Sequence, residues 1–323
     1  MTVWLKVQPD LANIETALKT HLNQDAGAAQ ALCDHLLFNP GKRIRPLLAV
    51  LSARLGGNER NSLTLAAAVE YLHAATLLHD DILDKAQLRR GRTAAHHIWG
   101  NTLTILGGDF LLARAVTLVA GLNNCRLMQK FAYFAEKIIA GEILEMSLKG
   151  RFDMDEATYF EIIKGKTAFL FEAACESGAD LGGMQPQQIV VLGEYGLNLG
   201  LAFQIEDDIM DYLGDNAHGG KLKGNDLCEG KVTLPLIIAL QKAAAEQRAA
   251  IEKIFTSGDA GEARFAEVCD FISAHNGFAD AHARALTYVE AATAALKVLP
   301  ACEAKSIMTE LAANVISANI NRN

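Results

Sequence analysis

An all-α, single-domain protein is what this sequence predicts, on three observations. Prolines occur only at 9, 40, 46, 186, 235 and 300, so long stretches lack the residue that breaks helices. Alanine and leucine dominate those stretches, and the alternating pattern of β-branched and polar residues that marks strands is nearly absent. No linker-like or low-complexity segment divides the 323 residues, half of them hydrophobic. Residues 1–323 therefore read as one domain with a large core.

The elements follow in order. Residues 10–37 form amphipathic helical sequence that stops before Asn39-Pro40-Gly41. Pro46 is tolerated in the first turn of a second helix that runs to Arg54 and is ended by Gly56-Gly57. Ser62 caps the long helix that follows. The chain breaks around Gly91, returns to helical pattern from Thr93 to Gly100, and starts or bends another helix at Gly107-Gly108 that lasts to Leu122. A long helix covers 126–149, with Glu142 and Glu145 in its second half. Asp153 or Asp155 caps the next, which Lys164-Gly165-Lys166-Thr167 interrupts or kinks. Pro186 opens a helix that runs past Asp211, with Gly193, Gly196 and Gly200 as close-packing positions. Gly214 to Gly230 is polar and turn-rich, and helices resume after Pro235 with breaks near Gly258 and Pro300.

Composition narrows the function. A formal charge of −8 with only local basic clusters argues against a nucleic-acid partner. Cysteines 33, 125, 175, 228, 269 and 302 are scattered with no paired spacing, as free thiols in a reducing cytoplasm would be. The first residues lack an apolar signal core, and no run approaches the ~20 apolar residues of a membrane span. A soluble cytoplasmic protein is expected, with at most peripheral membrane contact.

The chemistry is concentrated in two acidic clusters. Asp80, Asp81 and Asp84 lie within an apolar, proline-free run, and residues four apart share a helical face. Such paired carboxylates repel unless a cation binds them, and hard oxygen ligands suit Mg²⁺. Asp207, Asp208 and Asp211 repeat the same spacing in a second apolar helix. One such cluster is weak evidence, but two are hard to explain as solvated faces. Arg89-Arg90 and Lys42-Arg43-Arg45 supply cations whose geometry matches phosphate oxygens. Carboxylates for a divalent metal beside cations for phosphate suggest a metal-bound diphosphate.

At this point the chain resembles the trans-polyprenyl diphosphate synthase family, in its long-chain, octaprenyl diphosphate synthase-like branch. The resemblance is carried by GKRIRP (41–46), HDDILD with RRG (79–91), GKTA (165–168), QIEDDIMD (204–211) and GKLKGNDLCEGKVTLP (220–235), in that order. It implies the isoprenoid synthase fold, about ten or more helices around a central cavity. It also implies a homodimer and two or three Mg²⁺ ions as cofactor. The substrates implied are isopentenyl diphosphate and an allylic diphosphate such as farnesyl diphosphate.

Carried over by position, Lys42, Arg45, His73 and Arg90 match the isopentenyl diphosphate site. Arg89, Lys166, Thr167, Gln204 and Lys221 or Lys231 match the allylic diphosphate side, Lys223 near the Lys221 position being a departure. Asp80, Asp84 and Asp207 match the direct metal ligands, with Asp81, Asp208 and Asp211 in direct or water-bridged support. Asp80, Asp81, Asp84, Arg89, Lys166, Asp207 and Asp208 are the residues expected to carry catalysis. His79, His96 and His97 read as structural.

Product length is read from the helix preceding the first motif. Thr76 and Ala75 sit one turn below Asp80, where a bulky aromatic stops the chain early in this family. Ala75 leaves the way open, and Leu72, a further turn down, is the candidate floor. A long product is expected, octaprenyl for a quinone side chain, against a farnesyl- or geranylgeranyl-length alternative. An inactive regulatory subunit is disfavoured because both acidic clusters are intact, and a terpene cyclase would not need the second basic set.

Overall fold

The computed structural model describes residues 2–23, 27–38, 41–89, 91–214, 224–256 and 262–320, and among these it is helical nearly throughout. The expected helix over 10–37 is divided into α2 (Gln8–Asn23), a 3₁₀ turn (Gly27–Ala29) and α3 (Gln30–Leu37), preceded by α1 (Val3–Lys6). α4 (Ile44–Gly56) ends where Gly57 takes a left-handed φ of 87°, a backbone setting open to glycine. α5 (Ser62–Leu83) begins differently from expectation. Asn61, at φ 67°, occupies the cap position, and Ser62 is the buried first residue of the helix.

A short antiparallel pair, β1 (Leu88–Arg89) and β2 (Arg92–Thr93), flanks Gly91. α6 (Ala95–Ala120) corrects a second expectation. Gly107 and Gly108 lie in its interior, packed against the Leu32 and His79 side chains, and its kink falls at Gly100, with φ 78° and ψ 162°. By length and composition α6 is also apolar enough to cross a membrane, contrary to the expectation that no run would be. Its threonines and glycines interrupt a run of apolar letters without lowering the average hydropathy much. Its inner residues Leu111, Ala115 and Val119 are buried, and the helix packs along α5.

α7 (Cys125–Leu148) is capped by the Asn124 side chain, and α8 (Glu156–Ile163) by Asp155, which accepts from the Thr158 backbone at 2.7 Å. The expected interruption at 164–167 is a π-helical turn, Lys164–Ala168, leading into α9 (Phe169–Leu181). Then come α10 (Pro186–Leu213), α11 (Asn225–Cys228), α12 (Leu234–Lys242), α13 (Ala245–Thr256), α14 (Glu262–Ala274), α15 (Gly277–Ala295) and α16 (Glu303–Ile320). Gly258 lies outside the described residues.

α5 packs between α4 and α6, α9 between α4 and α10, and α10 against α15. One apolar core runs from Val3 to Ile316. α7 touches the π turn so closely that a Cβ on Gly141 would strike the Gly165 backbone. Bare backbones on both sides permit that approach, and it brings Lys166 beside the acidic residues of α7.

Candidate active site

Both acidic motifs stand at the C-terminal ends of their helices. Asp84 is the residue closing α5, and Asp207, Asp208 and Asp211 fall in the final turns of α10. A helix C-terminus carries partial negative charge, so carboxylates there are disfavoured unless cations arrive from elsewhere. Neither helix has a basic residue in its last turn. The two ends meet across a cavity of about 510 Å³, lined by Asp80, Asp84, Asp207 and Asp211 among others.

The cations come from four other segments. Lys149, after α7, lies 3.2 Å from Asp84, and Lys231, after α11, lies 3.3 Å from the other oxygen of the same carboxylate. Lys231 also pairs with Glu229 at 2.6 Å. Lys166 pairs with Glu145 and lies 3.9 Å from Glu142. Arg89 lines the cavity and reaches back to Asp81, its Nε 2.6 Å from Oδ1.

Burial, against the pull of Lys166 and Arg89, pushes the Asp80 carboxyl up to about 6, with Asp84 and Glu145 adding to the rise. Burial, with Asp80 and Glu145 adding and Lys166 opposing, pushes Glu142 up to about 7. Burial acts on Asp84 too, but Lys231, Lys166 and Lys149 together hold it below the usual carboxylate range. Burial disfavours the Lys166 and Lys231 ammonium groups, yet the Glu145 carboxylate leads the groups that raise both. The cavity wall is thus a dense lattice of opposite charges with a carboxylate excess around Asp80.

Of the expected diphosphate contacts, Arg45, His73, Arg89, Lys166, Thr167, Gln204 and Lys231 all line this cavity. Arg45 Nη1 lies 3.3 Å from His73 Nε2, and its guanidinium stacks over Phe171 at 4.5 Å. Lys42 instead lines a small adjoining cavity with Trp4, Ile44, Phe203 and Leu311. Arg43 departs from its expected role. Its side chain is buried, ion-paired to Glu70 at 2.5 Å and Glu15 at 2.6 Å and hydrogen-bonded to the Leu37 carbonyl, and it does not line the cavity. Adjacency in sequence grouped it with Lys42 and Arg45, but its left-handed backbone turns it into the core.

Asp81 is fully buried behind Arg89 and does not line the cavity, whereas Asp208 lines it with both oxygens engaged by protein donors. Thr76 lines the cavity, while Ala75 and Leu72 are buried without lining it. Arg90, Lys221 and Lys223 lie outside the described residues. Sequence reasoning missed Glu145, Lys149, Tyr159 and Asp226, all cavity-lining. The i, i+3 spacing of Glu142 and Glu145 and the i, i+4 spacing of Glu145 and Lys149 were available signals. Tyr159 left none.

The donor set fits a hard divalent cation, being carboxylate oxygens gathered in a buried wall where burial, with Asp84 and Glu145 adding, pushes Asp80 up to about 6. Among the described residues, no three acidic, histidine or cysteine side chains converge on one point. An ion held here would need further oxygens from water or a bound anion, which is how Mg²⁺ ordinarily binds.

Known proteins resemble the chain over this whole arrangement. The polyprenyl synthetase family model matches residues 27–272. The chain is 37% identical over 292 residues to octaprenyl diphosphate synthase of Escherichia coli K12, covering 90% of each protein. It is 38% identical over 284 residues to a short chain isoprenyl diphosphate synthase of Methanothermobacter thermautotrophicus, covering 86% of this chain and 87% of that protein. The fold is similar, with a TM-score of 0.92 and 38% identity, to a polyprenyl synthase from Caulobacter crescentus CB15 complexed with calcium and isoprenyl diphosphate, covering 98% of this chain and 96% of the other.

Proposed function

This chain belongs to the polyprenyl synthetase family and is a trans-prenyltransferase; from that premise we propose that it joins isopentenyl diphosphate head-to-tail onto an allylic diphosphate to make a long all-trans polyprenyl diphosphate. The observation that carries this reading is the meeting of two acidic helix ends across one cavity that also gathers Arg45, Arg89, Lys166 and Lys231. Mg²⁺, as two or three ions, would supply positive charge to neutralise the diphosphate leaving group when the allylic bond ionises. Asp80, Asp84, Asp207 and Asp211 would hold it. Calcium with an isoprenyl diphosphate in the Caulobacter crescentus relative supports a divalent cation at this site.

The chain's own residues then divide the work. Lys166, Lys231 and Arg89 add fixed positive charge where the leaving diphosphate develops negative charge. Arg45 and His73, with Lys42, bind isopentenyl diphosphate, orienting its double bond toward the allylic carbon and making the encounter effectively unimolecular. Leu77, Leu148, Ile162 and Phe203 line the apolar part of the wall and exclude water from the allylic cation. The proton lost after bond formation has the released diphosphate as its acceptor.

The proposed product is octaprenyl diphosphate, for a quinone side chain, supported by the small Ala75 and the octaprenyl relative. A farnesyl- to geranylgeranyl-length product is the second reading, favoured by the absence of Ala75 and Leu72 from the cavity lining. Six free cysteines support a cytoplasmic setting. A homodimer is proposed from the outer faces of α6 and α7, where Leu103, Ile105, Leu106, Tyr133, Ile139 and Ile143 stand exposed.

The decisive assay supplies labelled isopentenyl diphosphate, farnesyl diphosphate and Mg²⁺ and separates products by length. A ladder ending near eight isoprene units is expected. A stop at four units with farnesyl diphosphate, or at three with a shorter allylic primer, supports the second reading, and no incorporation with either primer refutes the activity.

A further inference from the structure

The proposed allylic half-site is braced by buried hydrogen bonds that begin outside both acidic motifs. Tyr159, on α8, is 3% exposed and donates from its hydroxyl to Asp208 Oδ2 at 2.6 Å. The other oxygen, Oδ1, accepts from Gln204 Nε2 at 2.7 Å. The Gln204 carboxamide oxygen in turn accepts from Thr167 Oγ1 at 2.5 Å. Asp208 is 4% exposed, whereas Asp207 beside it is open to the cavity.

The chemistry of these groups fixes their order. Both Asp208 oxygens accept here, from the Tyr159 hydroxyl and the Gln204 NH₂, so the Gln204 oxygen faces the Thr167 hydroxyl. One N–H of Gln204 is then spent on Asp208 and the other remains for an anion. A buried carboxylate is costly without donors, so the two it has also dictate how it is turned. Removing the Tyr159 hydroxyl leaves Oδ2 without a donor from α8 and frees the carboxylate to rotate.

We propose that Tyr159 is a positioning residue for the allylic diphosphate, acting through Asp208 to set which edges Gln204 and Thr167 present to it. The inference rests on the reading of this cavity as the diphosphate site. With Asp208 rotated, the Gln204 carboxamide can flip and turn its oxygen, which repels phosphate, toward the ligand. The loss therefore falls on binding of one substrate, with isopentenyl diphosphate on Arg45 and His73 unaffected.

Tyr159→Phe tests this, since it removes one oxygen and keeps the buried ring; a melting scan verifies that the variant is folded. Steady-state kinetics should show the KM for farnesyl diphosphate raised about tenfold, with the KM for isopentenyl diphosphate and the Mg²⁺ half-saturation unchanged. Calorimetric titration with inorganic pyrophosphate and Mg²⁺ should show the same weakening without turnover. In a double-mutant cycle, Tyr159→Phe should add nothing to Gln204→Ala. An unaltered KM, an equal rise for both substrates, a shifted Mg²⁺ requirement or additive losses would each overturn the proposal. Absence of condensation by the unaltered protein would refute the activity instead, while the pyrophosphate titration would still judge Tyr159.

Discussion

Arg43, set apart from Arg45, and Asp207, set apart from Asp208, show how neighbouring charges within a motif separate in space. Arg43 is 6% exposed and neutralises Glu70, itself 4% exposed. Breaking a buried pair by removing one partner strands the other charge, a cost of about 3–5 kcal/mol. Arg43→Ala is therefore expected to lower the melting temperature by many degrees, and any folded fraction should retain the unaltered KM for isopentenyl diphosphate. A raised KM with normal stability would return Arg43 to the substrate site. Asp207 has the opposite profile, exposed to the cavity with no shared core role. Asp207→Ala should lower kcat by roughly 10³-fold, the loss of about 4 kcal/mol of metal-borne stabilisation, with the circular dichroism spectrum unchanged. Full activity in that variant would sink the metal assignment.

α7 and α9 form the element pair on which the acidic wall is mounted. Close contact of Gly141 with Gly165 draws the π turn against α7 and sets Lys166 between Glu142 and Glu145. Farther along α9, burial and then Glu176 push the Glu172 carboxyl up to about 7, although Lys130 pulls it down. In the unfolded chain a glutamate titrates near ~4.3. The folded chain therefore holds this proton more tightly, and its contribution to stability is complete below the unfolded value and lost as pH rises through about 7. Glu172→Gln should be more stable than the unaltered protein at pH 8, by ~1 kcal/mol, and no more stable at pH 4. Urea-unfolding midpoints at the two pH values measure it; a gain that does not depend on pH would contradict the assignment.

Among the described residues, one side of the molecule carries an exposed apolar patch. Leu103, Ile105 and Leu106 of α6 and Ile139 and Ile143 of α7 are exposed apolar residues on neighbouring helices, the kind of patch that marks an interface. Leu106→Asp should halve the mass seen by light scattering and lower the melting temperature. A protein that is monomeric before substitution would refute the proposed dimer.

The sequence by itself determined the all-α class, both acidic helices, an interruption or kink at 164–167 and a cap at Asp153 or Asp155, because each follows from spacing and residue type within a few turns. It also named most of the charged side chains that line the cavity, since the motifs that contain them are local patterns. Only the tertiary structure decided that Arg43 faces the core, that Asp81 lies behind Arg89, and that Glu145, Lys149 and Tyr159 join the wall. Apart from Asp81 and Arg89, eight residues apart, their partners lie far along the chain, as Asp84 and Lys149 do, and such contacts are set by how helices pack.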